Sequence, residues 1–142
     1  MNPNGPIVLI EDDADEADIL RELCHRASPG TEVIQINDSR DALRILKQCE
    51  SPFMIFSSIN LKVLNGFQLR KAILADSFLA QKCTPYIFYS AGSNELMLKR
   101  VHEARADGYF YNISDYERLH EVISGIIGHW SHKNNYFYEM RA

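Results

Sequence analysis

Residues 53–69, "FMIFSSINLKVLNGFQL", are the strongest indication of the fold that we predict for this chain. It begins as an almost continuously apolar run, which is typical of a strand covered on both faces of a parallel sheet. It ends in two serines, Ser57 and Ser58, and passes into a loop that contains Asn65-Gly66. Ligands of open α/β sheets bind beyond the carboxyl ends of the strands, so this strand end is a candidate functional site.

Four more strand-like runs flank this stretch, at residues 6–10, 32–36, 85–90 and 108–112. The run at 32–36 carries polar residues and is typical of an edge strand. Segments with helical periodicity separate the runs, and the last helix opens with Ser114-Asp-Tyr-Glu117, the pattern of a capping box. Five strands alternating with five helices predict an α/β fold with a doubly wound, five-stranded parallel sheet of (βα)5, flavodoxin-like architecture.

The composition limits the kinds of function that fit this chain. Its 142 residues are 46% hydrophobic and 24% charged, with a net charge of −4, which fits one globular domain and gives no footprint for nucleic acid. No apolar run is long enough for a membrane span, and the amino end lacks a signal-peptide pattern. Three cysteines without Cys-x-x-Cys spacing, Cys24, Cys49 and Cys83, are typical of a reduced protein, so we expect a cytoplasmic location without a membrane partner.

The first strand ends in the acidic residues Glu11-Asp12-Asp13. Adjacent carboxylates repel each other, and a hard cation such as Mg²⁺, which prefers oxygen ligands, would relieve that repulsion. The alternative is that Asp13 or Asp15 caps the following helix, whose amino end favours negative charge. Three acids here would also repel the phosphate of a flavin that came without a metal.

Four motifs in order, "VLIEDD", "INLKVLNGFQL", "YIFYSAGS" and "ARADGYFYN", resemble the receiver domain of bacterial two-component response regulators. The resemblance runs from about Ile7 to Trp130 and implies the strand order 2-1-3-4-5. Because little else is present, the chain is similar to the stand-alone receivers. The ending "GIIGHW" of its last helix resembles a subclass that associates with sensor histidine kinases.

The resemblance assigns roles to residues at the strand ends. It matches Glu11 and Asp12 to the acids that hold Mg²⁺, and Asn60 to the position whose backbone carbonyl completes the metal site. Counting eight residues back from Gly66 places the family's phosphoacceptor aspartate at Ser58. With serine there, the resemblance implies weak binding of Mg²⁺, and no other cofactor.

The remaining positions of the family pattern fall in the second half of the chain. Ser90 matches the switch hydroxyl, Tyr109 the aromatic switch residue, and Asn112 the phosphate-binding lysine. The alternatives are that Ser90 bonds only to local backbone and that Tyr109 is an ordinary edge-strand aromatic. The prolines that the family has in two loops are replaced by Lys62 and Ile113.

These departures favour a receiver without aspartate phosphorylation. A serine hydroxyl, unlike a carboxylate, is not an ionised nucleophile at neutral pH and needs an adjacent base. Loss of the aspartate at Ser58 and of the lysine at Asn112 leaves the net charge of the pocket unchanged. We expect a non-enzymatic, degenerate receiver that signals by protein contact through the fourth helix, fifth strand and fifth helix. Expected partners are a histidine kinase, a second copy in a homodimer, or another signalling protein.

Two alternatives with phosphoryl chemistry stay open. The first is a Mg²⁺-dependent phosphotransferase or phosphatase of the haloacid dehalogenase type, because Asp13-Ala14-Asp15 imitates the Asp-x-Asp of those enzymes. The second is a receiver that is phosphorylated at another residue, with Asp13 as the candidate.

The last twelve residues, 131–142, differ from the rest of the chain in their density of aromatic side chains. We predict a receiver domain over 1–130 and a short aromatic tail over 131–142. The tail carries four large apolar side chains, those of Tyr136, Phe137, Tyr138 and Met140. Such a density of aromatics is uncommon in disordered tails, so the tail either folds back on the domain or forms a contact patch, and we favour the contact patch.

Overall fold

The computed structural model describes residues 2–131 with their side chains and residues 138–141 by their backbone. Its strands form one parallel sheet in the order β2-β1-β3-β4-β5-β6. The strands are β1 (Ile7–Ile10), β2 (Val33–Ile36), β3 (Met54–Ser58), β4 (Tyr86–Ser90), β5 (Gly108–Tyr111) and β6 (Tyr138–Arg141).

Helices cover both faces of this sheet. They are α1 (Ala14–Ala27), α2 (Ala42–Gln48), α3 (Gly66–Leu74), α4 (Ser77–Lys82), α5 (Glu95–Glu103) and α6 (Tyr116–Ser131), with a 3₁₀ turn at Ser39–Asp41 before α2. One apolar cluster packs α1 and α6 on one face, and a second packs α2 to α5 on the other. The predicted doubly wound sheet with strand order 2-1-3-4-5 is therefore confirmed, and β2 is its edge strand as expected. None of the described helices has the length and apolar character needed to cross a membrane.

The segment between β3 and β4 holds two helices where the sequence predicts one. The carboxylate of Asp76 accepts hydrogen bonds from the backbone N–H groups of Phe78 and Leu79, at 3.0 and 3.1 Å, and so starts α4 as a separate helix. An aspartate after α3 thus acts as a new N-cap, because its carboxylate satisfies amide groups at the start of α4. The prediction of five helices was wrong at this point.

The start of α6 also differs from the predicted capping box. The side chain of Asp115, not Ser114, accepts the hydrogen bond from the backbone N–H of Glu117, at 3.2 Å. The Glu117 carboxylate is instead bonded to both terminal nitrogens of Arg26 on α1, at 3.0 and 3.1 Å. The Glu117 carboxylate therefore forms a long-range ion pair between α6 and α1, whereas in a capping box it would accept a hydrogen bond from the N-cap backbone N–H.

The sixth strand continues the sheet beyond β5. The backbone of β6 runs parallel to β5, with Tyr138 opposite Gly108 and Arg141 opposite Tyr111. For residues 138–141 the backbone thus folds back on the domain, which is the alternative to the contact patch that we favoured. Tyr136 and Phe137 lie outside the described residues, and the boundary between domain and tail at 130/131 stays a prediction.

The cysteines offer a test of the packing. Cys24 and Cys83 are buried thiols, and burial raises the pKa of each to about 12, while Cys49 is half-buried with a smaller rise in pKa from the same cause. Because the thiolate is the reactive form, a thiol with a pKa of about 12 is ionised in only about one molecule in 10⁴ at pH 8.

We therefore expect Ellman's reagent at pH 8 to modify no more than one thiol per native chain within minutes, at Cys49. All three thiols should react in guanidinium chloride, since unfolding returns their pKa values to the ordinary range. A native Cys49→Ser variant that still reacts rapidly would contradict the burial of Cys24 and Cys83.

Candidate functional site

A cavity of about 550 Å³ lies beyond the carboxyl ends of β1, β3, β4 and β5. We call it the strand-end cavity. It is lined by nearly all of the residues that the sequence picks out at the strand ends, namely Glu11, Asp12, Asp13, Ser58, Asn60, Ser90 and Asn112. Tyr109, the predicted aromatic switch residue, does not line the cavity, but its hydroxyl is hydrogen-bonded to that of Ser90. The topology therefore brings the predicted site together.

Glu11 is held in place by a tyrosine that the sequence analysis did not select. Glu11 is only 4% exposed, and its Oε1 accepts a hydrogen bond from the Tyr89 hydroxyl at 2.8 Å. Its Oε2 accepts a bond from the backbone N–H of Asp13 at 3.2 Å. Burial raises the pKa of the Glu11 carboxyl, and these two hydrogen bonds oppose the rise because they stabilise the carboxylate.

Tyr89 is itself fixed by its surroundings. Its ring stacks on that of Phe110, with 5.3 Å between ring centroids and 15° between ring planes. Burial, together with the neighbouring Glu11 carboxylate, raises the pKa of the Tyr89 phenol well above its usual range. Tyr89 is therefore a neutral hydrogen-bond donor at physiological pH, and a polar link between β1 and β4.

The other two acids of the first strand end are also engaged. Asp12 Oδ2 accepts a hydrogen bond from the backbone N–H of Lys62, at 2.7 Å, which ties the end of β1 to the loop after β3. Asp13 Oδ1 accepts a bond from the backbone N–H of Glu16, at 3.0 Å, and is the N-cap of α1. The helix-cap alternative for Asp13 is confirmed, and Asp15 lies exposed in the first turn of α1.

The two serines at the end of β3 are both buried, and Ser58 is 5% exposed. The Ser58 hydroxyl oxygen accepts a hydrogen bond from the backbone N–H of Asn60, at 3.2 Å. The Ser57 hydroxyl donates to the carbonyl oxygen of Ser58, also at 3.2 Å. Ser58 faces the strand-end cavity, whereas Ser57 belongs to the alternate positions of the strand, whose side chains point to the opposite face.

The loop after β3 closes tightly on the strand it leaves. The backbone N–H of Gly66 donates to the carbonyl oxygen of Ile59 at 2.8 Å. A Cβ atom at Gly66 would lie 2.5 Å from the carbonyl oxygen of Ser58 and 2.7 Å from the Ile59 Cα. Only glycine fits this approach without displacing backbone, so Gly66 fixes where the loop returns to the end of β3.

Ser90 and Tyr109 form one hydrogen-bonded pair. The Ser90 hydroxyl donates to the carbonyl oxygen of Gly92 at 2.7 Å, and the Tyr109 hydroxyl lies 2.8 Å from Ser90 Oγ. Since the Ser90 proton is used on Gly92, Tyr109 is the donor of the second bond. Tyr109 is fully buried, so it is not an exposed edge-strand aromatic. The local backbone bond anticipated as the alternative for Ser90 is present as well.

Asn112 is the last of the predicted site residues. It has a positive φ of 59°, a left-handed conformation that asparagine adopts more readily than most residues. Its backbone N–H donates to the carbonyl oxygen of Ser90 at 3.3 Å, so the turn after β5 is bonded to the end of β4. Its side chain is exposed and supplies a neutral amide where a lysine would supply a positive charge.

The oxygen atoms that could act as metal ligands at this site fit a divalent cation poorly. Both carboxylate oxygens of Glu11 and one of Asp12 already accept hydrogen bonds. The third predicted ligand is the backbone carbonyl of Asn60, and Ser58, at the family's phosphoacceptor position, adds only a neutral hydroxyl. Lys62 adds a positive charge to the lining of the same cavity. Within the part of the chain that the structure describes, no three His, Cys, Asp or Glu side chains converge as a metal site.

The family described as response regulator receiver domain matches residues 7–124, so the chain belongs to that family. It is thus a receiver domain protein of two-component signalling, and the resemblance described from the sequence motifs is confirmed. No curated protein matches the chain.

Several solved structures share the fold at low sequence identity. The phosphorylated cyanobacterial phytochrome response regulator RcpA is 21% identical with a TM-score of 0.78, over 89% of this chain and 94% of that one. A receiver domain from Rhodospirillum rubrum is 21% identical with a TM-score of 0.76, over 89% and 93%. The Mn²⁺-bound form of response regulator Rcp1 is 20% identical with a TM-score of 0.75, over 89% and 94%. The chain therefore spans nearly the full length of these receivers.

Proposed function

We propose that this chain is a degenerate receiver, which passes a signal through protein–protein contact without accepting a phosphoryl group on an aspartate. The observation that carries the proposal is Ser58, which stands at the end of β3 where the family pattern has the phosphoacceptor aspartate. Ser58 is buried and lines the strand-end cavity, and its hydroxyl oxygen accepts a hydrogen bond from the backbone N–H of Asn60.

The position of Ser58 is supported by the contact with Gly66. In the family pattern the loop glycine follows the acceptor by eight residues, and here Gly66 packs directly on the carbonyl oxygen of Ser58. A slip of one residue in this assignment would place Ser57 at the acceptor position, and that residue is also a serine. Both assignments therefore give the same chemistry.

The surroundings of Ser58 do not favour a nucleophile. A serine needs a neighbouring base to remove its proton, and the carboxylate in the same row of the sheet, Glu11, is already bonded to Tyr89 and Asp13. Asn112 supplies no positive charge to a transferred phosphoryl group. The Ser90 hydroxyl, at the position of the family's switch residue, is hydrogen-bonded to the Gly92 carbonyl and the Tyr109 hydroxyl. These bonds are made within the protein, where the switch residue of a phosphorylated receiver would bond to the phosphoryl group.

A protein that does not change its covalent state has to signal through its surface. We assign the contact surface to α5 and α6, which correspond to the fourth and fifth helices predicted from the sequence. The fifth strand, β5, which that prediction included, is covered along its outer edge by β6. The partner is a sensor histidine kinase, a second copy of the chain or another signalling protein, and the chain is not an enzyme. The net charge of −4 does not favour a nucleic acid as the partner.

Incubation with acetyl phosphate and Mg²⁺, followed by intact-mass measurement, tests this proposal. We expect no covalent adduct, because the acceptor carboxylate and the lysine are both replaced. RcpA, whose structure is described as phosphorylated, is the control treated in parallel. A stoichiometric adduct that hydroxylamine removes would contradict the proposal, and loss of that adduct in Asp13→Asn would establish Asp13 as the acceptor.

The phosphotransferase alternative of the haloacid dehalogenase type is not favoured. The family match and the solved structures are receivers, and the Asp-x-Asp imitation at 13–15 does not form a reactive pair. Asp13 serves as the N-cap of α1, and Asp15 is exposed in its first turn.

A further inference from the structure

The bond between Glu11 and Tyr89 joins two strands that are not neighbours. β3 lies between β1 and β4 in the sheet, with Ile10 opposite Ser57 and Ser58 opposite Tyr89. One position beyond Ile10, Glu11 therefore falls in the same row as Ser58 and Tyr89. Side chains opposite each other on adjacent strands point to the same face, so the Tyr89 side chain reaches Glu11 across the position of Ser58.

The small side chain of Ser58 allows this reach. Because the side chain of Ser58 is only a hydroxymethyl group, the Tyr89 ring can occupy the space above β3, between β4 and β1. The Ser58 oxygen accepts a hydrogen bond from the backbone N–H of Asn60. An aspartate at position 58 would place a second carboxylate beside that of Glu11 in the same row of the sheet, and two neighbouring negative charges repel each other. The serine at 58 and the tyrosine at 89 are thus compatible with each other in one buried row.

The Tyr89 hydroxyl is bonded to an oxygen that a cation would need. Oε1 of Glu11 accepts the Tyr89 proton at 2.8 Å, while Oε2 accepts the Asp13 amide at 3.2 Å. Each oxygen keeps a second lone pair, but both hydrogen bonds draw on the negative charge of the carboxylate, and the tyrosine takes space beside it. A divalent cation at Glu11 would therefore bind less strongly than at a free carboxylate, and moving Tyr89 aside would leave a buried hydroxyl without its acceptor.

We propose that Tyr89 is the residue that makes this receiver independent of divalent cations, with its hydroxyl in the place beside Glu11 that the cation would take. The strand-end cavity is then held together by protein hydrogen bonds instead of by a metal. This inference rests on the proposed function for the role of Ser58, and it adds a second reason for the absence of phosphoryl chemistry.

The test compares Mn²⁺ binding to the full chain and three variants, by the loss of the free Mn²⁺ signal in electron paramagnetic resonance. Tyr89→Phe removes one oxygen and keeps the ring that stacks on Phe110. We expect it to bind Mn²⁺ at least about tenfold more tightly than the natural chain. Tyr86→Phe, which removes a hydroxyl from the same strand on the opposite face, is the matched control and should bind as the natural chain does.

A third variant shows whether any gain occurs at Glu11. Adding Glu11→Gln to Tyr89→Phe should abolish the gain, because it removes the carboxylate from the site. Equal Mn²⁺ affinity in Tyr89→Phe and the natural chain would overturn the inference. So would a rise in the melting temperature of the natural chain in about 10 mM Mg²⁺, since a ligand of the native state raises its stability.

Failure of this inference and failure of the proposed function give different results. A tight metal site in the natural chain, with no adduct from acetyl phosphate, would overturn the role of Tyr89 and leave the degenerate receiver in place. An adduct on an aspartate, with Mn²⁺ binding improved in Tyr89→Phe, would overturn the degenerate receiver and leave the role of Tyr89 in place.

Discussion

Replacing Gly66 by alanine is expected to destabilise the protein by about 3 kcal/mol, because the added methyl group overlaps backbone that cannot move independently. The new Cβ would lie 2.5 Å from the Ser58 carbonyl oxygen and 2.7 Å from the Ile59 Cα. Relief would require the loop to separate from β3, which breaks the 2.8 Å bond from Gly66 N–H to the Ile59 carbonyl. For a chain of this length we expect the melting temperature to fall by about 10 °C.

Gly128→Ala is the matched control for this substitution. Gly128 lies in α6 at an exposed position, and among the described residues no atom outside the backbone of its own helix comes within 4 Å of an added Cβ. Alanine has the higher helix propensity, so this variant should be as stable as the natural chain or more stable by about 0.5–1 kcal/mol. The melting temperatures of both variants should be measured by calorimetry. A Gly66→Ala protein with the same melting temperature as the natural chain would contradict the tight closure of the loop on β3.

The second large effect is expected at Arg70. This residue of α3 is only 3% exposed, and its guanidinium donates to the carbonyl oxygens of Ala104 and Arg105, at 3.1 and 2.9 Å. The guanidinium also lies over the ring of Tyr86, 4.3 Å from the centroid. Burial lowers the pKa of Arg70, yet the group stays charged, and its two bonds satisfy carbonyls that follow the end of α5.

Arg70→Met should therefore lower the free energy of unfolding by about 2 kcal/mol, since two carbonyls lose their donor while the desolvation of a charge is relieved. Arg100→Met is the matched control: Arg100 also lies 4.3 Å from an aromatic centroid, that of Phe67, but at an exposed position. We expect it to cost about 0.5 kcal/mol or less. Equal shifts of the two variants in urea denaturation would show that burial and the carbonyl bonds of Arg70 contribute nothing.

The sheet could be predicted from sequence because its signal is local and repeated. β1, β3 and β4 are almost continuously apolar in the sequence, and the structure buries them between two layers of helices. In such a sheet the strand ends meet at one edge, so the sequence positions of the polar residues were enough to assemble most of the strand-end cavity.

The elements that the sequence analysis missed depend on details that an apolar pattern does not carry. The break between α3 and α4 follows from Asp76 acting as an N-cap, which resembles any other acidic residue within a helical stretch. The start of α6 moved because Glu117 pairs with Arg26, which is 91 positions away. Contacts of this kind are decided by tertiary packing, not by local propensity.

Tyr89 was missed for a related reason. Within "YIFYS" it resembles one more core aromatic, and its bond to Glu11 spans 78 positions of sequence. A usable signal was nevertheless present, because side chains alternate along strands and the predicted strand order puts one strand between these two residues. Their common face could have been inferred from that alternation, although the hydrogen bond itself could not.

The pairing of β6 with β5 bears on how the protein can be shortened. An unpaired strand at the border of a sheet presents a row of N–H and C=O groups that other chains readily adopt as a template. β6 supplies partners for that row from Gly108 to Tyr111. A chain that ended at Ser131, where α6 ends, would leave the outer edge of β5 unpaired and would favour self-association. The strand β6 therefore protects against aggregation as well as completing the sheet.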